Sequence, residues 1–416
     1  MHSDFGAVGD GSHDDTAAIR AAITAAQPGD TVYFPRPPSQ YLTLGMLDLA
    51  GKEDIALVGS GSPGGNIIGY LGTGGKAAVS LVGSRRITIR NLHVICGNSG
   101  APPQCGVILG RPTNHSYGDH FIENLWVGGY AIKSMVYNVA SEENTWISCY
   151  FYLYGGGAKY ILTLTEEDDL AVGDAAFPLQ HNTCLSNWFV NTRVTRDPGS
   201  GDDPNSALIY IIGRYSTGDI SFRDSLLGSA SGAGIQVHIP EAGLSPRQII
   251  LDGLRFENFG AWNGTLKYGL RVTGQSGGTL TGLDLRRMST GALSFGAYSV
   301  YGDDGITFLD CTFKGNLSLR YNGPTTAEGS PSSVWLGNGV IIEGQGITFR
   351  QPSTYLAYSQ STYMLNGQLQ VGGTPGNDET ALLLQTNNSG SLALRRVSVG
   401  APNTGGTGYR ILRVPN

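Results

Sequence analysis

Four acidic side chains and three aromatic rings in the middle of the chain have types and spacing suited to breaking a glycosidic bond. Glu123, the doublet Glu142–Glu143 and Asp219 supply carboxyl groups, and Phe121, Trp126 and Trp146 lie among them in sequence. One carboxylic acid can protonate a leaving sugar oxygen while a second carboxylate serves as base or nucleophile. Aromatic faces can carry the apolar side of a pyranose ring. Arg223 and Asp252 add a cation and a further acid to the same stretch. If the bond breaks by elimination, Arg223 beside a carboxylate is the natural base and charge stabiliser.

Other groups carry less chemistry. Asn114 to His120 holds two histidines five apart and one aspartate, a common coincidence, and no metal or cofactor is expected. Gly59 to Gly65 lacks the lysine and following helix of a phosphate loop and reads as a turn. Glu166-Glu167-Asp168-Asp169 is expected to be a solvated loop or a groove wall. The five cysteines, an odd number without a CxxC pair, fit assembly in a reducing cytoplasm. A net charge of −6 with no basic block argues against nucleic acid. No run of 18 apolar residues is present, so membrane insertion is not expected, and Met1 to Phe5 does not read as a signal peptide.

The elements that must position these residues emerge from a repeat: apolar, any, turn residue, apolar, any, apolar. It runs from Ile89-Arg90-Asn91-Leu92-His93-Val94 through Ile122 to Val127, Ile147 to Tyr152, Leu185 to Val190, Phe222 to Leu227 and Leu251 to Phe256, then twice more to Phe313. The third position holds Asn91, Asn124, Cys149, Asn187, Asp224, Gly253, Gly282 and Asp310. All but Cys149 tolerate a left-handed backbone, so one sharp corner per coil is predicted. Intervals of 25 to 38 residues imply constant strands with loops of varying length. The reading is all-β: a right-handed parallel β-helix.

Side chains alternate along a strand, which sorts the repeat into surface rows. Phe121, Trp146, Ser221 and Ile250 are expected to point outward before the corner, beside Glu123, Arg223 and Asp252. After it, His93, Trp126, Phe151, Phe189 and Leu226 are expected to form an exposed ridge suited to a subunit interface, loop cover or sugar stacking. Carboxylates one coil apart would stand about 5 Å from each other, near the separation used by retaining hydrolases; two coils approach the inverting separation.

The ends close the stack. Asp14-Asp15-Thr16 can cap a helix whose apolar face is Ile19, Ala22, Ile23 and Ala26, stopped by Pro28-Gly29. Such a helix would lid a solenoid end. Three regions follow: a cap over 1–30, a β-helix over 31–362 and a small C-terminal β module over 363–416, whose size favours trimerisation.

The opening Asp4-Phe5-Gly6-Ala7-Val8-Gly9-Asp10-Gly11, with Asp14 to Ile19 and Gly29 to Pro35, resembles the start of pectate-lyase-like β-helix proteins. That group includes polysaccharide lyases, glycoside hydrolases and bacteriophage tailspikes. The final Gly408 to Asn416 looks like the ending of phage tail fibres and tailspikes. The resemblance implies a homotrimer that binds or degrades a bacterial surface polysaccharide, made in the host cytoplasm, joined to phage tail or baseplate proteins and acting at the cell surface. Tailspikes usually carry a head domain before the β-helix, and none is read here. A non-catalytic adhesin and a free lyase or hydrolase are the alternatives.

Overall fold

In a computed structural model the chain is a parallel β-solenoid with one short helix near its start. The described residues are 4–110, 118–154, 157–165, 185–196, 206–212, 218–228, 233–239 and 247–257, then strands alone up to Leu382–Leu383. Side chains are described as far as Arg255. Each coil places two strand segments in a 22-stranded sheet, bent at a corner, and one in a 12-stranded sheet.

Two left-handed corners bracket the strand that carries most of the expected site. The first ladder is Arg86, Asp119, Glu143, Ser186, Asp219 and Gln248; the second is Asn91, Asn124, Ser148, Asn191, Asp224 and Gly253. Every residue in them has positive φ, and each member of the second lies five residues after its partner in the first. Four residues therefore span the strand, two facing in and two facing out.

Stacking across coils holds this arrangement. Asn124 Nδ2 donates to Asn91 Oδ1 at 2.8 Å, and Asn191 Nδ2 donates to Ser148 Oγ at 3.1 Å. One inward column runs Ile89, Ile122, Trp146, Phe189, Phe222 and Leu251, all buried. Trp146 stacks on Phe189 at 5.7 Å between centroids, and Phe189 on Phe222 at 4.5 Å. The neighbouring column turns polar at His120, Asn144 and Asn187, which are buried but bonded. His120 Nδ1 accepts from the Ile87 amide at 3.2 Å, and Asn144 Nδ2 donates to Asn187 Oδ1 at 2.9 Å. Asn187 Nδ2 donates to the Ser141 carbonyl at 3.1 Å. Burial pushes His120 down to about 3, so the imidazole is neutral.

This register corrects four expectations. The corner residue after Trp146 is Ser148, not Cys149, and the next coil turns at Asn191, not Asn187. Asn187 belongs to the internal amide ladder instead. Trp146 faces the core, because it pairs with Ile122 where the repeat had aligned Ile147. Phe151 and Phe189 are buried too, and His93 is covered, so the expected exposed ridge loses three of its rings. A slip of one residue moves every side chain to the opposite face.

The helix spans Thr16–Ala25 and buries Ile19, Ala22 and Ile23. Asp15 flanks it, yet its carboxylate accepts from the amides of Val8 at 2.6 Å and Gly9 at 3.0 Å rather than capping the helix. Lys52 Nζ donates to the carbonyls of Thr24 and Ala26, satisfying the C-terminal end. Parallel pairing continues through Tyr363–Leu365, Leu369–Gly372 and Leu382–Leu383. Residues 384–416, most of the expected C-terminal module, lie outside the described residues, as do Asn114 to Tyr117, Glu166 to Asp169, Cys184, Asp310 and Cys311.

Asn191→Val forces a β-branched residue to a φ of 51° and should cost about 1–3 kcal/mol. Asn191→Gly should be tolerated better, because glycine takes this backbone freely. Thermal denaturation compares them; equal midpoints for the two variants would contradict the corner role.

Candidate functional site

Carboxyl groups gather on the ladder that precedes the bracketed strand. In chain order it carries Asp54, Arg86, Asp119, Glu143, Ser186, Asp219 and Gln248, all left-handed with φ between 50° and 57°. Asp tolerates this backbone; Glu and Arg seldom adopt it. Successive coils join through side chains. Arg86 Nη2 donates to Asp54 Oδ2 at 2.6 Å, and Arg85 Nε to Asp119 Oδ2 at 3.3 Å. Ser186 Oγ donates to Asp219 Oδ2 at 2.8 Å.

Between these pairs, the carboxyl groups of Asp119 and Glu143 share a hydrogen bond. That bond and the charge of Asp119 hold Glu143 above the usual carboxylate range, and the charge of Glu142 adds to the effect. The same bond, with help from Arg85, holds Asp119 below its ordinary value. Within this pair Glu143 therefore holds a proton more firmly than Asp119 does.

The outward residues of the bracketed strand form two rows beside this ladder. One row reads Thr88, Phe121, Thr145, Trp188, Ser221 and Ile250; the other reads Arg90, Glu123, Ile147, Val190, Arg223 and Asp252. Trp188 is 36% exposed, and its coil lies between those of Glu143 and Asp219. Corner residues two coils apart stand about 10 Å from each other, close to the inverting separation. Asp119 and Glu143, in direct hydrogen bond, are too close to flank a sugar oxygen as a retaining pair would.

The expected site residues divide accordingly. Glu143 and Asp219 share the acidic ladder. Glu142 precedes Glu143, and its carbonyl accepts from the Asp119 amide at 3.0 Å. Glu123 faces out in the second row, ion-paired to Arg90 at 3.0 Å. Phe121 faces out below Thr145, with the Arg90 guanidinium 5.1 Å from its ring centre. Arg223 and Asp252 pair in register in the second row, higher up the stack. Trp146 does not reach the surface, and Trp188 is the exposed tryptophan of this face. Trp126 is half-buried beyond the Asn corner, away from the acids.

Asp119 and Trp188 are not among the site residues that the sequence pattern suggests, and Asp119 stands there only in the discounted Asn114 to His120 group. The usable signal was the five-residue spacing of turn-tolerant residues, as in Asp119 and Asn124 or Asp219 and Asp224. The outer face of the 12-stranded sheet carries a different ring array: Tyr160 stacks on Tyr210 at 4.0 Å, with His238 at 6.2 Å from Tyr210. Among the described residues, no helix is long and apolar enough to cross a membrane.

Comparison with known proteins finds a family model matching the start of the chain and several similar solved structures. Residues 3–80 match the family model described as rhamnogalacturonase A/epimerase, pectate lyase-like. Among solved structures, the A-module of Azotobacter vinelandii mannuronan C-5 epimerase AlgE4 is similar at 15% identity, covering 93% of this chain and 99% of that one, with a TM-score of 0.46. Tailspike protein 2 of Escherichia coli O157:H7 bacteriophage CAB120 is similar at 12% identity over 85% of this chain and 41% of its own length, TM-score 0.46. PfbA, a surface adhesin of Streptococcus pneumoniae, is similar at 12% identity over 89% and 91%, TM-score 0.44. No curated protein matches in sequence.

Asp119→Asn removes the neighbouring charge, so the Glu143 carboxyl should titrate at lower pH than in the parent. Carbon NMR titration with labelled glutamate reads this directly; an unshifted Glu143 would contradict the pairing.

Proposed function

We propose that this chain is a phage tailspike that recognises a bacterial surface polysaccharide and cleaves it by hydrolysis on the face between its two left-handed corners. The observation that carries the reading is the placement of Trp188 between the coils of Glu143 and Asp219, with the Glu143 carboxyl raised above its usual range by Asp119. A pyranose ring stacked on Trp188 would have an acid on one side along the stack and a carboxylate on the other.

The roles follow from the two environments. Glu143 keeps its proton into a higher pH range and serves as general acid to the leaving oxygen. Asp219, oriented by the Ser186 hydroxyl, serves as base for water entering from the opposite side. Phe121 and Arg223 extend the face along the stack for further sugar contacts. The match of residues 3–80 to a rhamnogalacturonase/epimerase model supports carbohydrate as the substrate class.

The likeness of Gly408 to Asn416 to tailspike endings supports homotrimeric assembly and attachment to a phage tail or baseplate. The chain would then be made in the host cytoplasm and act at the bacterial surface.

The test is incubation of the full chain with a panel of purified capsular, O-antigen and exopolysaccharides, following reducing ends and the ultraviolet absorbance of unsaturated sugars. Release of reducing ends without unsaturation is expected. Glu143→Gln should lower the rate by about 10²–10⁴-fold while binding survives. Activity should fall as pH rises through the raised Glu143 value, since the acid must carry its proton, and Asp119→Asn should move that fall to lower pH. Unsaturated products would replace hydrolysis by elimination. Binding without cleavage of any panel member would make the chain an adhesin.

A further inference from the structure

Beyond the Asn corner the outer surface becomes aromatic. Strands Thr88–Cys96, Phe121–Gly129 and Tyr150–Leu153 stack His93, Trp126 and Tyr150 in one row and Ile95, Gly128 and Tyr152 in the next. Tyr130 and Tyr154 follow at the strand ends. Six rings form one connected net. His93 lies 5.4 Å from Trp126 and 5.9 Å from Tyr152, and Tyr150 lies 5.8 Å from Trp126 and 4.9 Å from Tyr152. Tyr154 lies 5.0 Å from Tyr152 and 6.1 Å from Tyr130.

The net is built into the fold. Tyr152 lies flat across the coil below because residue 128 is glycine; a Cβ there would fall 2.0 Å from the Tyr152 ring. Its hydroxyl thereby reaches His93 Nε2 at 2.6 Å, two coils down. His93 is only 7% exposed, and burial pushes it down to about 4, so it is neutral and anchors the tyrosine without charge. The outermost ring, Tyr154, is 46% exposed, while Trp126, Tyr130 and Tyr150 are half-buried. The exposed Arg193 guanidinium lies 5.0 Å from the centre of the Tyr150 ring, and no described carboxylate is ion-paired to it. The Tyr150 hydroxyl bonds Thr195 Oγ1 at 3.0 Å.

We infer that this face is a second, non-catalytic saccharide-binding surface, on which pyranose rings of the polysaccharide stack against Trp126, Tyr150 and Tyr154 while Arg193 donates to sugar oxygens. The inference rests on the polysaccharide reading above. A sugar fits better than a second copy of the chain. Several of the ring pairs meet edge-on rather than as one flat apolar plane, and the tyrosine rings end in hydroxyl groups. A guanidinium borders the patch. Apolar ring faces with polar edges are the complement of a pyranose, with its C–H face and hydroxyl rim. Trp126 and Tyr150 repeat at the coil spacing of about 4.8 Å, so a glycan running along the stack meets a ring in each coil. The acids lie on the other side of the four-residue strand, so the surface would raise the local concentration of polymer near them.

The test uses the full chain carrying Glu143→Gln, so that bound polymer persists. Isothermal titration with whichever purified capsular, O-antigen or exopolysaccharide the panel identifies compares this protein with versions adding Tyr150→Ala plus Tyr154→Ala, or Arg193→Gln alone. Affinity should fall about tenfold or more for the tyrosine pair and several-fold for Arg193→Gln, with the assembled mass by light scattering unchanged. Arg193→Gln leaves the ring packing in place and so separates binding from folding. Unchanged affinity in both versions overturns the inference while leaving the proposed function standing. A drop in assembled mass overturns it in favour of a subunit interface. Failure of the parent to bind any panel member removes the proposed function itself and the inference with it.

Discussion

The geometry of the described surface depends on one backbone constraint: two left-handed residues, five apart, in each of the six coils from Arg86–Asn91 to Gln248–Gly253. Only four residues fit between them, so the strand cannot slip without driving a core side chain into water. The outward rows and the corner ladders then stack in fixed register from coil to coil. Glu143, Trp188 and Asp219 come together because three coils obey this rule although their intervals differ, 43 residues from Glu143 to Ser186 and 33 from Ser186 to Asp219. Intervening loops change in length without moving the strand, which is what makes a solenoid a stable base for a site.

The same constraint puts unusual residues at the corner and gives them work. Glutamate is a poor choice for a left-handed backbone, yet at 143 it stands beside Asp119, whose charge raises its carboxyl above the usual range. Separate environments for two carboxyls on one ladder, one in a carboxyl pair and one beside a serine hydroxyl, are the condition for dividing acid and base roles. The internal amide ladder of Asn144 and Asn187 lies directly beneath. With its donors and acceptors paired across coils, it resists the register shifts that a purely aliphatic column would allow.

Much of the fold was legible in the sequence, and the reasons for the failures are local. Asn91, Asn124, Asp224 and Gly253 announce their corner because few other residues accept that backbone. The coil at Thr145–Ile147 and Tyr150–Leu153 hides its period, since Trp146, Ile147, Tyr150, Phe151 and Tyr152 are apolar or aromatic on both faces. Ser148 gives no compensating turn signal there. In the next coil Asn187 imitates a corner while serving the core, and the true corner, Asn191, lies four residues later. The pattern therefore turns Trp146 outward and Trp188 inward, the reverse of their places in the structure. Glu143 and Asp219 could be named as acids from sequence, but their shared ladder could not, because only the corrected register aligns them.

The central claim is that sugar is bound and cut across Glu143, Trp188 and Asp219, and the most direct measurement is a crystal structure of the Glu143→Gln protein with an oligosaccharide of its polysaccharide. The account predicts a pyranose ring stacked on Trp188, with the scissile oxygen toward position 143 and a water held by Asp219. A saccharide lying instead on the outer face of the 12-stranded sheet, over Tyr210 and His238, would contradict it.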